Sequence, residues 1–246
     1  MFIFNIFIYI INKITNNIIQ LIMYENIIAI PFRDRDAHLK HFIENTLPQI
    51  EEHLPNTRVV VIEQDKEGLF NRGVLLNVAF KEYQNKTKYF FTHDVDIIPT
   101  LDKVKTIYTR EDIDVFRIKS APGDRLGGII KLKHDVIFDI NGFPNYIWGW
   151  GIEDRALYYR CFIRNIDIKS NGNKAFKILP HRSNGVVRYT GEKKRISDMW
   201  RKDYIDSLDD KQKEDMVMNS GLNNLEYTIL ERKMIHNIVE LIKVQI

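Results

Sequence analysis

Apolar residues in this chain come in two rhythms, short unbroken runs and longer stretches with a helical repeat, and the two alternate. Ile27-Ile28-Ala29-Ile30 is an unbroken run, broken by Pro31-Phe32-Arg33-Asp34-Arg35-Asp36; Leu39, Phe42, Ile43, Leu47 and Ile50 then recur at helical spacing. That reads as strand, charged turn, helix. The rhythm continues with a strand over 58–62 and a helix over 72–83 carried by Leu75, Leu76, Val78, Ala79 and Phe80. Strands follow at 89–92 and 114–118, then a strand at 129–132 leading into a helix through Val136, Ile137 and Ile140. Helices are predicted at 153–164, 198–209 and 211–219. Strands alternating with helices predict an α/β fold around a mainly parallel sheet. In such a fold, ligands bind outside the carboxyl ends of the strands.

Two segments placed at those ends carry chemistry. The aromatic strand 89–92 runs into His93-Asp94-Val95-Asp96, and aspartates two residues apart off a strand end point the same way. Their hard oxygens suit Mg²⁺ or Mn²⁺ bridging a diphosphate. Arg33 and Arg35, at the turn after the first strand, have the fork geometry for diphosphate oxygens, or else pair with Asp34 and Asp36.

The densest segment is Gly142-Phe143-Pro144-Asn145-Tyr146-Ile147-Trp148-Gly149-Trp150-Gly151-Ile152-Glu153-Asp154. Tyr and Trp offer flat apolar faces to the C–H side of a sugar, each with one polar handle. Gly149 and Gly151 let the backbone bend. Glu153 and Asp154 open a helix, where the dipole favours acidic groups and a carboxylate can face a ligand.

Composition narrows the setting. The 246 residues are 44% hydrophobic and 28% charged, enough for one core, and no linker or repeat divides them. The expectation is a single catalytic domain over 24–246, preceded by an apolar extension over 1–23. Residues 2–11 and 18–23 are strongly apolar, but Asn5, Asn12, Lys13, Asn16 and Asn17 break the uninterrupted span of about 20 residues that crosses a bilayer. This leaves a peripheral or dispensable segment, with membrane association through 1–22 undecided. The net charge of +3 calls for no nucleic-acid partner, and the basic clusters at 193–195 and 201–213 read as solvated helical surface. Cys161 is the only cysteine, so no intrachain disulfide forms and a cytoplasmic, reducing compartment is expected over the secretory lumen.

Pro31-Phe32-Arg33-Asp34-Arg35, the segment 70–78 (Phe70-Asn71-Arg72-Gly73 onward), Asp94-Val95-Asp96, Gly127-Gly128, the block from Asn141 to Asp154, and 221–227 occur in one order. In that order the chain, from about residue 27 to about 227, resembles the β-1,4-galactosyltransferases, glycosyltransferase family 7. The resemblance implies a glycosyltransferase A-type fold, a UDP-sugar donor, a glycan acceptor and Mn²⁺, with Mg²⁺ as substitute. It implies a uridine-diphosphate cradle of Pro31, Phe32, Arg33, Arg35, Phe70 and Arg72. Asp94, Val95, Gly128, Glu153 and Trp150 lie by the donor, Tyr146 and Arg155 by the acceptor. Asp96 and His181 are implied as metal ligands, Asp154 as the catalytic base, and the mechanism as a single inverting displacement. A Golgi membrane is the setting implied for animal members.

Four positions depart from the family pattern. Arg155 replaces a second aspartate after the base, so an acceptor contact changes sign. Arg125 replaces a tyrosine beside the donor's C2, which leaves galactose, N-acetylgalactosamine and glucose open. Ile178 replaces a metal ligand, leaving completion of that site to His93, phosphates and water. Ile152 replaces a loop glycine and stiffens the loop. Three classes of function compete: a metal-dependent inverting galactosyltransferase, a transferase of another UDP-sugar, and a carbohydrate-binding module whose catalysis has decayed.

Overall fold

A computed structural model describes residues 24–65, 68–100, 102–111, 113–171, 176–180 and 189–246. The expectations for 1–23 and for His181 lie outside the described residues. The run at 27–30 forms the middle of β1 (Tyr24–Phe32), which pairs in parallel with β2 (Thr57–Gln64) and with β3 (Thr87–His93). Beyond β2 lie β10 (Val239–Gln245), parallel to it, and β9 (Thr228–His236), antiparallel to β10. Beyond β3 lie β6 (Ile129–Lys133) and β5 (Val115–Lys119), both antiparallel to their inner neighbours, and β7 (Ile168–Ser170), parallel to β5. The order is β7-β5-β6-β3-β1-β2-β10-β9, a parallel centre with mixed flanks. A small second sheet pairs β4 (Ile97–Pro99) with β8 (Phe176–Ile178).

Both faces of the parallel centre are covered, which is why β1 is apolar without alternation. Ile27 and Ala29 pack with α3 (Arg72–Glu82) through Leu75, Leu76 and Ala79, while Ile28 and Ile30 meet Leu39, Phe42, Leu47 and Ile50 on the other side. Those four come from α1 (Asp36–Asn45) and α2 (Leu47–His53). The remaining helices are α4 (His134–Asp139), α5 (Glu153–Ile163), α6 (Gly191–Met199), α7 (Lys202–Asp206) and α8 (Asp210–Met218). Ile147 and Ile152 of the tryptophan segment join Ala156, Tyr159, Trp200 and Ile205 in a third cluster that seats this segment on α5 and α7.

The structure amends several predicted boundaries. β1 continues through Pro31 and Phe32, with Pro31 opposite Ile62, because a proline φ is compatible with extended backbone. The single helix expected after the turn is two, parted at Thr46, and Pro48 lies in the first turn of α2, where its missing N–H costs nothing. The helix expected over 198–209 is divided: α6 ends at Met199 and α7 starts at Lys202. β9 and β10 were not anticipated. Among the described residues, no helix is long and apolar enough to cross a membrane.

Candidate functional site

The carboxyl ends of β1 and β3 meet the N-termini of α3 and α5, and the charged residues of the site sit at this junction. Asn71 caps α3, its Oδ1 accepting from the Val74 amide at 3.0 Å, so the helix starts at Arg72. Arg72 Nε donates to Asp94 Oδ1 at 2.9 Å, and its Nη1 stands 3.6 Å from Asp154 Oδ1. Its Nη2 also lies 2.8 Å from Asp94 Oδ1, and neither terminal guanidinium nitrogen makes an aligned hydrogen bond. Burial alone would lower the Arg72 pKa, but Asp94, Asp154 and Glu153 outweigh it and hold the group more firmly charged.

Glu153 and Asp154 occupy the first turn of α5. The residue before them, Ile152, has φ 84° and ψ −39°, a strained conformation for a β-branched side chain. The Leu126 amide donates to the Asp154 carbonyl at 2.9 Å, and the Asp154 carboxylate lies against Gly127, where a β-carbon would come within 2.2 Å of Oδ2. Burial raises the Glu153 pKa, and the neighbouring Asp154 charge adds to the rise. Asp154 is also raised by burial, but Arg72 and a hydrogen bond from Glu153 act the other way. Both carboxyls are therefore held above their ordinary range, Asp154 by burial and the Asp94 charge against the pull of Arg72, and 32% of the Asp154 side chain is exposed.

The tryptophan segment is tied at three points. The Gly149 amide donates to Phe70 O at 2.8 Å, Lys193 Nζ donates to Trp148 O at 2.8 Å, and the Tyr189 hydroxyl fills the space a side chain at Gly151 would need. Trp150 projects with 67% exposure. Below it, Tyr146, Trp148, Ile152, Lys193, Arg195 and Met199 help line a cavity of about 700 Å³. Tyr146 Oη accepts from Trp200 Nε1 at 3.2 Å, which orients its ring.

Most of the predicted site residues come together here, with differences in role. Arg33 turns away from Asp34 and Asp36: it donates to Gly68 O at 3.1 Å and lies over the Phe70 ring. Arg35, half-buried, precedes α1. Gly128 has φ 71° and its carbonyl accepts from the Asp94 amide. Pro31, Phe32 and Val95 are buried, and the side chains of Phe32 and Val95 belong to the core under the site. His93 is corrected as a metal or phosphate contact. Its ring is fully buried against Phe42, Nε2 is 3.0 Å from Tyr108 Oη, and Nδ1 is 3.0 Å from the Asp94 carbonyl. Arg155 Nη2 donates to the carbonyl and Oγ of Ser197, both at 2.6 Å, clamping α5 to α6.

A divalent ion fits the donor chemistry, since the carboxylates of the 94–96 turn are hard-oxygen donors. Among the described residues no three His, Cys, Asp or Glu side chains cluster to hold one, and His181 lies outside them. Ile178, exposed on β8, pairs with Ile97 next to Asp96.

Sequence reasoning missed several contributors. Asn77 sits fully buried in α3, donating to Phe143 O at 2.7 Å and accepting from the Phe143 amide at 2.8 Å, which fixes the start of the tryptophan segment. Its signal was an amide inside an apolar helix face. Arg160, also buried, donates to the carbonyls of Asn141, Gly142 and Ser220 and fixes the same turn from below. Tyr189 and Lys193 gave no local signal.

Residues 21–109 match the family model described as the N-terminal region of glycosyl transferase group 7, and 110–182 match the one described as the N-terminal domain of galactosyltransferase. β-1,4-Galactosyltransferase 1 of Bos taurus is 31% identical over 212 residues, 83% of this chain and 50% of its own length. β-1,4-Galactosyltransferase 6 of Homo sapiens is 30% identical over 210 residues, 81% of this chain and 51% of its own. The chain thus spans about half the length of these curated relatives. A solved structure of a mutant Drosophila β-1,4-galactosyltransferase 7, in complex with manganese, UDP-Gal and xylobiose, superposes with a TM-score of 0.73 at 22% identity. It covers 91% of this chain and 94% of that one, and shows the same fold. These likenesses do not support the expected cytoplasmic location.

Proposed function

Since the chain belongs to the group 7 glycosyltransferases, we propose that it transfers a sugar, galactose first among candidates, from a UDP-sugar to a hydroxyl of a carbohydrate acceptor with inversion. The observation that carries this reading is the Asp94–Arg72–Asp154 constellation: a base and an anion-binding cation on two helix N-termini at the strand ends. The curated relatives are named β-1,4-galactosyltransferases, and the Drosophila neighbour was captured with UDP-Gal and a disaccharide.

In the reaction the acceptor oxygen attacks the anomeric carbon and gives its proton to Asp154. The bond between that carbon and the diphosphate oxygen breaks, and its electron pair leaves with UDP. A nearby carboxylate is what such a step needs, and the Arg72 charge favours the ionised form of Asp154. The hydrogen bond from Glu153 favours the same form. Arg72 and Arg33 meet the charge that accumulates on the diphosphate. Asp96, with His181, would hold a divalent ion, Mn²⁺ or Mg²⁺, which supplies a Lewis acid for the leaving group. Trp150, exposed beside this junction, would cover the donor, and the cavity beside Tyr146 and Trp148 has the flat walls a sugar acceptor packs on.

The experiment is UDP release by the purified full chain from UDP-galactose, UDP-N-acetylgalactosamine, UDP-glucose and UDP-N-acetylglucosamine, with Mn²⁺ and with chelator. Metal-dependent release from UDP-galactose, stimulated by a sugar acceptor, supports the reading. Release from another donor only would move the assignment to that sugar, a result that Arg125 would explain, since its charge reaches Asp154. UDP binding without release under any acceptor would overturn catalysis in favour of a binding module.

A further inference from the structure

The face of β3 turned towards α1 carries Tyr89, Phe91 and His93 on alternate residues, all buried, with Phe42 against the His93 ring. Three buried polar side chains are joined end to end within this apolar layer. Lys131, opposite Phe91 on β6, passes its Nζ over the Tyr89 ring at 4.2 Å and donates to the carbonyls of Tyr108 and Arg110, at 3.0 and 2.6 Å. The Tyr108 hydroxyl, from the end of the short helix Val104–Tyr108, lies 3.0 Å from His93 Nε2, and His93 Nδ1 lies 3.0 Å from the Asp94 carbonyl. A carbonyl only accepts, so Nδ1 carries the ring hydrogen. Burial keeps the imidazole neutral, and Nε2 then accepts from Tyr108.

This series ends on the turn that carries carboxylates of the site. The Asp94 carbonyl also accepts from the Ile97 amide at 3.1 Å, which closes the turn from Asp94 to Ile97. Asp94 meets Arg72 from the first position of that turn, and Asp96 stands at the third. Elsewhere the turn is tied through its backbone: the Asp94 amide to Gly128 O at 3.3 Å, and the Leu179 amide to Asp96 O at 2.8 Å. From the core side, His93 fixes the plane of the peptide between Asp94 and Val95, and with it the directions in which both carboxylates leave the turn. Taking Asp96 as a metal ligand, as proposed above, we propose that His93, oriented by Tyr108, is a positioning residue for the metal-binding turn.

Packing does not require this arrangement. Replacing both partners of a buried hydrogen bond by apolar groups of the same shape is close to neutral in stability. A fully bonded polar series instead selects one orientation of each group. Groups that orient a metal's ligands are typically worth about 10- to 100-fold in metal affinity. His93 acts on the backbone of the turn and not on a ligand side chain, so its effect belongs at the lower end, about tenfold.

The test is Mn²⁺ binding by the full chain, read from loss of the free-ion EPR signal, with thermal melting of each variant and UDP binding measured in chelator. His93→Leu removes the donor and should weaken Mn²⁺ binding about tenfold. Tyr108→Phe keeps the ring stacked on Phe91 and loses only the hydroxyl, so it should fold and bind Mn²⁺ a few-fold more weakly. His93→Asn places an amide N–H near the position of Nδ1 and should recover most of the affinity. UDP binding without metal should change little in all three, which separates positioning of the turn from general loosening. Unchanged Mn²⁺ affinity in Tyr108→Phe, a His93→Asn variant that binds Mn²⁺ a full tenfold more weakly than the natural chain, or equal losses of Mn²⁺ and UDP affinity would each overturn the role of His93 and leave the proposed function standing. These criteria hold even where His93→Leu fails to fold. A natural chain that binds no Mn²⁺, with or without UDP, would overturn the metal ligands themselves and this role with them.

Discussion

The Asp154 carboxylate rests on the bare α-carbon of Gly127: a β-carbon there would lie 2.2 Å from Oδ2 and 2.5 Å from the carboxyl carbon. Gly127 is therefore glycine for space at the base. Gly127→Ala should displace the carboxylate while the backbone bond from Leu126 holds α5 in place. The expected outcome is a fall in turnover of about 100-fold, the scale of a displacement near 1 Å. UDP affinity and melting temperature should change little. Unaltered turnover would show that Asp154 is not the group whose position matters.

Asp154→Asn tests the same group chemically. The amide keeps the volume beside Gly127 but accepts no proton, so turnover should fall by about 100- to 10,000-fold. UDP binding, measured by calorimetry, should stay within a few-fold, because the diphosphate contacts proposed above lie on Arg33 and Arg72. A large loss of UDP affinity with modest loss of turnover would make Asp154 a binding residue.

Arg72 links stability to pH dependence. Arg72→Met leaves Asp94, Asp154 and Glu153 facing one another without the cation that sits among them. The stability cost should be about 3 kcal/mol, the lower end for breaking a buried pair, because Asp94 and Asp154 keep 31% and 32% of their side chains exposed. The charge of Arg72 lowers the Asp154 pKa, so its removal raises that pKa further. The base is then protonated at higher pH, and the acidic limb of the kcat/KM profile should move upward. An acidic limb that stays in place would mean that the base does not feel Arg72.

His93 offers a separate pH signature, in folding. Burial pushes its pKa down to about 4, from 6.5. The folded state then binds fewer protons than the unfolded state between these values, so stability is present above pH 6.5 and is lost as pH falls towards 4. The loss attributable to this residue is at most on the order of 3 kcal/mol. Melting temperature against pH should slope steeply in that window, and His93→Gln should flatten the slope. Parallel slopes for the two proteins would place the proton uptake elsewhere.

The same histidine marks where the sequence stops being informative. Its position beside Asp94 suggests a ligand, but whether a ring at a strand end points to the site or to the core depends on Phe42 and Tyr108, which are remote in sequence. Strand β1 was legible because burial on both faces demands an unbroken apolar run, and that signal is local. The break at Thr46 was not, since the apolar repeat of Leu39, Phe42, Leu47 and Ile50 continues across it. The Asp94, Asp96 and Asp154 positions were legible through their spacing from strand and helix ends. The reason for Gly127 was not, because it is a steric relation across 27 residues, visible only once α5 is docked. The contacts of Arg155 were hidden for a similar reason: its charge suggests an acceptor contact, but the bonds of its Nη2 to Ser197, far along the chain, have no local signal.

Ile152 gives a prediction in which the usual order of substitutions inverts. Its φ of 84° with ψ of −39° is a conformation that costs a non-glycine residue on the order of 1–3 kcal/mol. Its side chain, 6% exposed, contributes to the cluster with Ile147, Tyr159 and Trp200. Ile152→Ala loses that packing and keeps the strain, whereas Ile152→Gly loses the same packing and relieves it. Glycine is ordinarily worse than alanine by roughly 0.5–1 kcal/mol in structured backbone. At this position the relief should offset that penalty, so the glycine variant should melt at or above the alanine variant. The backbone preceding Glu153 and Asp154 also becomes free to change conformation without a side chain resisting it. If movement of the tryptophan segment limits turnover, glycine should raise kcat relative to alanine at equal UDP affinity. A glycine variant that melts clearly below alanine would show that the cluster around Trp200, and not local backbone strain, decides the energetics at the entrance to α5.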